Sequence, residues 1–340
     1  MKIYEYIARR VLLLIPVILG ILTITFIISH VFPADPLAAL LGPLQMRELR
    51  PETIEMYRKR FGLDLPLHEQ FFNYMSRLVH GDLGDSIRTR NPILEDLAYY
   101  FPATIELAMV AMFMSLAVGI PLGIISAVRK DQIVDHISRL FSLAGVCMPS
   151  FWLALVLIIV FYYRLDWLPA AGRTSISSIL PPTVTGLATI DSLLAGDIDL
   201  FLEVVRHMIL PSFVLAYRAI ASIARMARSS MLEVMRADYI RTARSKGLSE
   251  RIVIYRHALK NAMIPTVTIS GLMFGSLLSG SVLVETVFSW PGLGWYATAA
   301  LTNVDFPAVM AVTLVFTLVY SLANLIVDVT YGWLDPRIKY

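Results

Sequence analysis

Long stretches without charged residues alternate with short charged segments along this chain of 340 residues. A helix needs roughly 20 apolar residues to cross the hydrocarbon core of a membrane. Five stretches free of Asp, Glu, Lys and Arg reach this length, and a sixth, from about His207 to Ala224, is apolar but interrupted by Arg218. The pattern predicts an all-α integral membrane protein with six transmembrane helices. In chain order the six stretches are Val11–Ala34, Leu107–Val128, Leu140–Tyr163, about His207–Ala224, Asn261–Val284 and Phe306–Val327.

The composition points the same way. Hydrophobic residues make up 57% of the chain and charged residues only 16%, whereas soluble domains are about 25% charged. The net charge of +3 does not indicate a nucleic-acid partner. Because Cys147 is the single cysteine, an internal disulfide and a cysteine zinc cluster are both excluded.

Basic residues orient the predicted helices. Nine Lys and Arg lie between the fourth and fifth stretches, whereas the link from Ser289 to Asp305 has none. Short loops rich in Lys and Arg stay in the cytoplasm. Six helices then place both termini inside. The charge-free stretch Val11–Ala34 is longer than the core of a usual cleavable signal peptide, so we interpret it as a retained span.

These features divide the chain into four parts. Residues 1–32 form the first transmembrane helix, and residues 33–101 form an extracytoplasmic loop with short helices predicted at Glu52–Arg60 and Leu67–Val79. Residues 102–334 form a five-helix core that includes a cytoplasmic loop, 225–262. Residues 335–340 form a cytoplasmic tail.

The cytoplasmic loop predicts an elbow of two short helices. Arg236–Lys246 suits a helix, and Gly247 stands where a left-handed helix terminator belongs. Ser249 can cap a second helix. A rigid elbow that continues into two membrane helices is what is needed to pass force from a motor protein to those helices.

The residues of this elbow carry a family resemblance. The run Arg241-Thr-Ala-Arg-Ser-Lys-Gly-Leu248, followed by Arg256-His-Ala-Leu-Lys-Asn-Ala-Met-Ile-Pro265, resembles the cytoplasmic loop of ABC importer permeases. It has the form of that loop seen in dipeptide, oligopeptide and nickel permeases. It departs from the broader superfamily pattern by having Arg241-Thr242 in place of Glu-Ala. Further matching segments are 9–10, 32–36, 61–64, 81–86, 102–107, 149–152, 168–172, 285–294 and 335–337. In this order they look like the first of two peptide permease subunits, the dipeptide permease B type.

The resemblance implies a type I ABC importer permease fold in the cell membrane. It implies a non-catalytic subunit that forms half of the translocation pathway for di- or oligopeptides. The implied partners are a second permease subunit, two cytoplasmic ABC ATPase subunits and an extracytoplasmic substrate-binding protein. ATP and magnesium would bind to the ATPases and not to this chain, which has no Gly-Lys dipeptide and hence no phosphate-binding P-loop.

The resemblance also implies two groups of functional residues. No catalytic or metal-binding residue is expected. Small residues on the fifth span are candidates for lining the pore, although we favour close helix packing, whose small-xxx-small pattern Gly271 and Gly275 satisfy. The coupling loop is Arg241, Thr242, Ala243, Lys246, Gly247, Leu248 and Ser249, and the pore candidates are Ser270, Gly271, Gly275, Ser276 and Ser279.

Several alternatives remain open. The same machinery could import nickel chelates or oligosaccharides. An ion-coupled secondary transporter would show two similar halves and buried acidic relays, and neither is evident in the sequence. Arg218, Glu285 and Asp328 lie in or at the ends of spans, where we expect interfacial ion pairs or snorkelling more than substrate contact.

Overall fold

The computed structural model describes residues 3–31, 37, 49–60, 64–175, 177–178 and 180–334. The described residues form helices joined by turns, with one isolated β-bridge between Asp85 and Pro92 and no strand. The all-α class predicted from the apolar stretches is therefore confirmed. The predicted tail 335–340, with its matching segment 335–337, lies outside the described residues, as do the matching segment 32–36 and the first three residues of the segment 61–64.

Thirteen α-helices are described, and two π-helical segments extend or join them: Ile158–Arg164 follows α6, and Val253–Ala258 joins α10 to α11. The helices are α1 (Ile3–Val31), α2 (Pro51–Arg60), α3 (Leu67–Val79), α4 (Ile93–Val128), α5 (Ile133–Cys147), α6 (Ser150–Leu157), α7 (Ala188–Leu194), α8 (Ile198–Val234), α9 (Asp238–Ser245), α10 (Glu250–Ile252), α11 (Leu259–Val287), α12 (Leu293–Thr302) and α13 (Phe306–Leu334). The short helices α2 and α3 lie where the sequence predicts them.

Three of the described helical segments are long and apolar enough to cross a membrane: α4, the run from α10 through α11, and Phe306–Ile326 of α13. They contain the predicted second, fifth and sixth spans. At a rise of 1.5 Å per residue, the 36 residues of α4 extend about 54 Å, well beyond the roughly 30 Å of the hydrocarbon core. The helix α4 is therefore longer than the hydrocarbon core is thick.

The predicted third span, Leu140–Tyr163, is not one straight helix. The chain bends by 110° between α5 and the α6 segment that ends at Arg164. Met148 adopts an extended conformation there, and Pro149 follows it. Proline disfavours a helical conformation in the preceding residue and has no N–H to continue the helical ladder. Because Leu140–Tyr163 contains no charged residue, the apolar pattern alone did not predict this break.

The other two predicted spans lie in α1 and α8. Within α1, the apolar stretch Leu12–Ile28 is described, and several of its large side chains are about half exposed, as expected for contact with lipid. In α8 the predicted span from His207 to Ala224 occupies the middle of a 37-residue helix. The crossing of the membrane by these two helices stays a prediction.

Glycines let α8 pack closely against α4 and α5. A Cβ on Gly123 would lie 2.6 Å from the backbone oxygen of Ala224, and one on Gly145 would lie 2.9 Å from Cβ of Ala221. Small residues allow backbones to approach in this way. Ile220 of α8 is fully buried in the resulting core. α8 is thereby the central helix of the described core.

Candidate functional site

The candidate coupling element is an elbow between α8 and α11. Helix α9 ends at Ser245, one turn residue follows, and Gly247 then has a φ of +76°. Glycine adopts this left-handed conformation without the steric cost that a Cβ brings. Gly247 therefore has the conformation expected of a helix terminator. The helix before it is shorter than the predicted Arg236–Lys246.

The apolar side of the elbow packs against α4 and α8. Ile240 and Ala243 are buried, and they lie in one core cluster with Ile124 and Ala127 of α4 and Met231 of α8. Burial of this side fixes the position of α9 against α4 and α8. A movement of the elbow would consequently move both helices.

The other side of the elbow is exposed and polar. An ion pair between Arg244 Nε and Glu250 Oε1, 2.8 Å apart, spans the turn at Gly247. A pair this exposed contributes little to stability. Of the predicted coupling residues, Ala243 is buried and Leu248 is half-buried, and those exposed are Arg241, Thr242, Lys246, Gly247 and Ser249.

The second half of the elbow differs from the prediction. Ser249 precedes α10, but its side chain makes no capping hydrogen bond. Its backbone oxygen accepts a hydrogen bond from the Val253 amide at 3.0 Å. Because α10 has only three residues and continues through the π-helical segment into α11, the elbow's second helix is the start of the long helix. Asn261 Nδ2 donates to Tyr239 Oη at 2.8 Å and ties this start to α9.

The small residues of α11 lie on two faces. Ser270 and Gly275 are buried within the chain, and a Cβ on Gly275 would lie 3.0 Å from the ring of Tyr320 in α13. Gly271 is half-buried, whereas Ser276 and Ser279 are exposed. One face therefore packs against α13 and the other is open on this chain.

Arg218 is exposed on α8 at about the middle of the predicted membrane depth. Two residues before Arg218, the backbone oxygen of Ala216 lies 3.4 Å from Ser115 Oγ. Ser115 stands near the centre of the predicted span Leu107–Val128, so Arg218 lies at a similar depth. The expected ion pair is not found for Arg218 among the described residues. A guanidinium at this depth normally faces protein or water rather than lipid.

At the end of α11 away from the elbow, which we call the far end, a buried carboxylate organises the turn into α12. Glu285 is fully buried, and its Oε2 accepts hydrogen bonds from the amides of Gly294 and Trp295 at 2.7 and 3.1 Å. Thr104 Oγ1 of α4 donates to Oε1 at 2.9 Å. A Cβ on Gly292 would lie 2.5 Å from Oε2 and 2.6 Å from Thr104 Oγ1, so a larger residue there would force these side chains to shift. The expected interfacial ion pair or snorkelling at Glu285 was wrong: its partners are the Thr104 hydroxyl and two amides at the N-terminus of α12.

A second buried carboxylate joins further segments at the far end. Arg173 Nη2 donates to Glu106 Oε2 at 2.5 Å, and the Thr189 amide donates to Oε1 at 2.8 Å. The Arg173 guanidinium also lies 5.7 Å from the ring centroid of Trp290. The motif segments 102–107 and 285–294 therefore meet in space, and Arg173, directly after the segment 168–172, joins them. Asp328 was the third ionisable residue considered, and its side chain lies outside the described part.

Asp191, in the first turn of α7, binds the loop that precedes this helix. The amides of Thr185 and Gly186 donate to its carboxylate at 2.8 and 3.0 Å. Burial acts to raise the pKa of Asp191, but these hydrogen bonds outweigh it and hold the pKa below its ordinary value. The charged form therefore stabilises the folded loop.

Comparison with known proteins places the chain in a family. The family described as "Binding-protein-dependent transport system inner membrane component" matches residues 119–340, and its N-terminal counterpart matches residues 3–108. Among the described residues, no group of three or more His, Cys, Asp or Glu could hold a metal ion.

Curated relatives match from end to end. The chain is 45% identical over 339 residues to the probable D,D-dipeptide transport system permease protein DdpB of Escherichia coli (strain K12), covering 99% of this chain and 98% of that protein. It is 44% identical over 335 residues to the dipeptide transport system permease protein DppB of Alkalihalophilus pseudofirmus, covering 98% and 99%. It is 38% identical over 336 residues to the glutathione transport system permease protein GsiC of Escherichia coli O6:H1, covering 99% of both.

The fold is similar to that of a chain in the inward-facing MetNI methionine ABC transporter, with a TM-score of 0.53. The two are 15% identical, and the match covers 72% of this chain and 99% of the other. At this identity the likeness concerns the fold alone. The sequence matches carry the assignment further: this chain is an integral membrane protein, and it belongs to the family of binding-protein-dependent transport system inner membrane components.

Proposed function

We propose that this chain is one of two permease subunits of an ATP-driven importer and that the importer carries di- or oligopeptides. The observation that supports the cargo most is the end-to-end similarity to permeases named for dipeptides and for glutathione, itself a short peptide. Nickel chelates and oligosaccharides are the alternatives that the sequence left open, and neither is named among these three relatives.

The proposed topology has six crossings with both termini in the cytoplasm. The crossings are α1, α4, the bent α5–α6 pair, α8, α11 and α13. The basic residues between α8 and α11 favour the cytoplasm for the elbow and hence the outside for α12. The proposed location is the cell membrane, and residues 33–101 form the extracytoplasmic loop.

The elbow is proposed to dock into a groove of a cytoplasmic ATPase. Its exposed face supports this, because Arg241, Thr242 and Lys246 point away from the core that holds Ile240 and Ala243. The chain enters the elbow from α8 and leaves it into α11. ATP-driven closure of two ATPases would therefore move both helices together. ATP and magnesium belong to those subunits in this proposal.

The translocation pathway is proposed to run between this chain and a second permease subunit. Ser276 and Ser279 support a polar surface on α11, since both are exposed. Ser270 and Gly275 are proposed to serve packing within the chain instead. Arg218 is proposed to face the pathway, where its charge complements the carboxylate of a peptide.

The test is to purify the tagged chain in detergent from its native membrane and to reconstitute the recovered assembly in liposomes. We expect a second permease and one or two ATPases to co-purify, and we expect ATP-dependent uptake of radiolabelled dipeptides in the presence of the binding protein. Uptake driven by an ion gradient, with the chain recovered alone, contradicts the proposal. Preference for a nickel chelate or an oligosaccharide over peptides would correct the cargo.

A further inference from the structure

A partly buried ion pair ties the start of α5 to α8. The Asp135 side chain is fully buried, and each of its carboxylate oxygens accepts a hydrogen bond from Arg228. The Nε–Oδ1 distance is 2.7 Å and the Nη2–Oδ2 distance is 2.8 Å. A two-pronged pair of this kind fixes orientation as well as position. It therefore resists both sliding and rotation of α8 relative to α5.

The same carboxylate gathers the end of α4 and the turn that follows it. Ser126 Oγ of α4 donates to Asp135 Oδ1 at 2.5 Å, and the Asp131 amide donates to Oδ2 at 3.0 Å. Arg139 Nε, one turn further along α5, lies 3.8 Å from Oδ2. Three helices, α4, α5 and α8, consequently meet at one charged group.

This junction adjoins the core that supports the elbow. Ser126 is followed directly by Ala127, and Arg228 stands one helical turn before Met231. Ala127 and Met231 both lie in the apolar cluster with Ile240 of α9. Force on the elbow thus reaches the residues next to the ion pair before it reaches the rest of α4 and α8.

We propose that the Asp135–Arg228 pair positions α4, α5 and α8 so that they move as one body when the elbow is displaced. The inference rests on the proposed function and adds the part of the chain through which motion reaches α5. Without the pair, α8 would follow the elbow while α5, which packs on α8 through Gly145, could lag behind. Coupling between sites travels through such contiguous packed and hydrogen-bonded networks.

The experiment uses the complete reconstituted complex and measures the number of peptides imported per ATP hydrolysed. The main variant combines D135N with R228M, because it removes the tie without leaving one buried charge unpaired. Replacing both members of a buried pair is far better tolerated than removing one. We expect the import ratio to fall by at least about fivefold while the complex still assembles and hydrolyses ATP. Lys130→Gln, at an exposed site in the same turn, is the control and should keep the wild-type ratio.

A second variant separates a positioning role from mere structural support. Arg228→Lys keeps the charge but cannot form two parallel N–H bonds to one carboxylate. We expect this variant to assemble, because the charge is kept, and to have an import ratio below the wild-type value. It decides the question if the double variant does not assemble. A wild-type ratio in the assembled double variant, or in Arg228→Lys, overturns the inference. If the unmodified complex imports no peptide, the proposed function itself fails.

Discussion

Gly247 offers the sharpest test of the elbow, because its replacement strains only the backbone. Its φ of +76° is unfavourable for other residues by about 1–2 kcal/mol. A Cβ built on it meets nothing within 4 Å, so the substitution begins in open space. We expect Gly247→Leu to insert and fold with a modest loss of stability. The new side chain would project from the face proposed to enter the ATPase.

The expected loss of transport follows from that geometry. Forcing a bulky group into a packed contact costs about 1–3 kcal/mol, and each 1.4 kcal/mol is a factor of ten in an equilibrium. Gly247→Leu should therefore reduce peptide uptake in proteoliposomes by about tenfold or more, while ATP hydrolysis falls less. The ratio of the two rates, measured on the same preparation, reports the loss of coupling.

The chain supplies a matched control at Gly196, in the turn between α7 and α8. Gly196 has a φ of +73°, and a Cβ there also meets nothing within 4 Å. Gly196→Leu imposes the same backbone strain away from the elbow and should keep the wild-type ratio of uptake to hydrolysis. Equal ratios for both variants would refute the docking role of the elbow and leave Gly247 as a helix terminator only.

Three further predictions test other parts of the molecule. Gly292→Ala should lower the melting temperature in detergent, at a cost of about 1–3 kcal/mol, because its Cβ would lie 2.5 Å from the Glu285 carboxylate. The control Gly280→Ala should keep the wild-type melting temperature, because its Cβ has its nearest neighbour at 4.0 Å. Equal melting temperatures for the two variants would contradict the packing around Gly292. Asp191→Asn should lower the melting temperature at pH 7. The difference should shrink as the pH falls below about 4, because a carboxylate with a lowered pKa in the folded state stabilises only above that range; a difference independent of pH argues against it. Arg218→Gln should reduce uptake of peptides with a free C-terminal carboxylate about tenfold and spare amidated peptides, and equal effects on both would remove Arg218 from substrate recognition.

Local patterns in the sequence were sufficient for some elements. The prolines at 51 and 66, followed by mixed polar and apolar residues, predict α2 and α3 close to their observed bounds. Gly247 was predicted to be left-handed from its position between two helix-forming runs, and it is. These features depend on neighbours along the chain, which a sequence displays directly.

Features that depend on distant partners were not predictable in this way. Glu285 and Thr104 are separated by 181 positions, and nothing near Glu285 indicates that its carboxylate meets a threonine of α4 and the amides of α12. From the sequence, Arg228 was only one of the basic residues that orient the cytoplasmic loop. Its pairing with Asp135 was not predictable, because it requires α5 and α8 to pack side by side. The 110° bend had a local signal in Pro149, but the apolar run around it concealed the break.

The central claim is that the elbow contacts an ATPase, and site-specific cross-linking tests it most directly. The exposed Thr242 is replaced by cysteine in a chain whose single cysteine, Cys147, is changed to serine, and a short photoactivatable maleimide is attached. We predict an adduct between this chain and an ATPase subunit in the assembled complex, and none from Thr302→Cys at the far end. An adduct at both positions, or none with an ATPase from Thr242→Cys, would contradict the account.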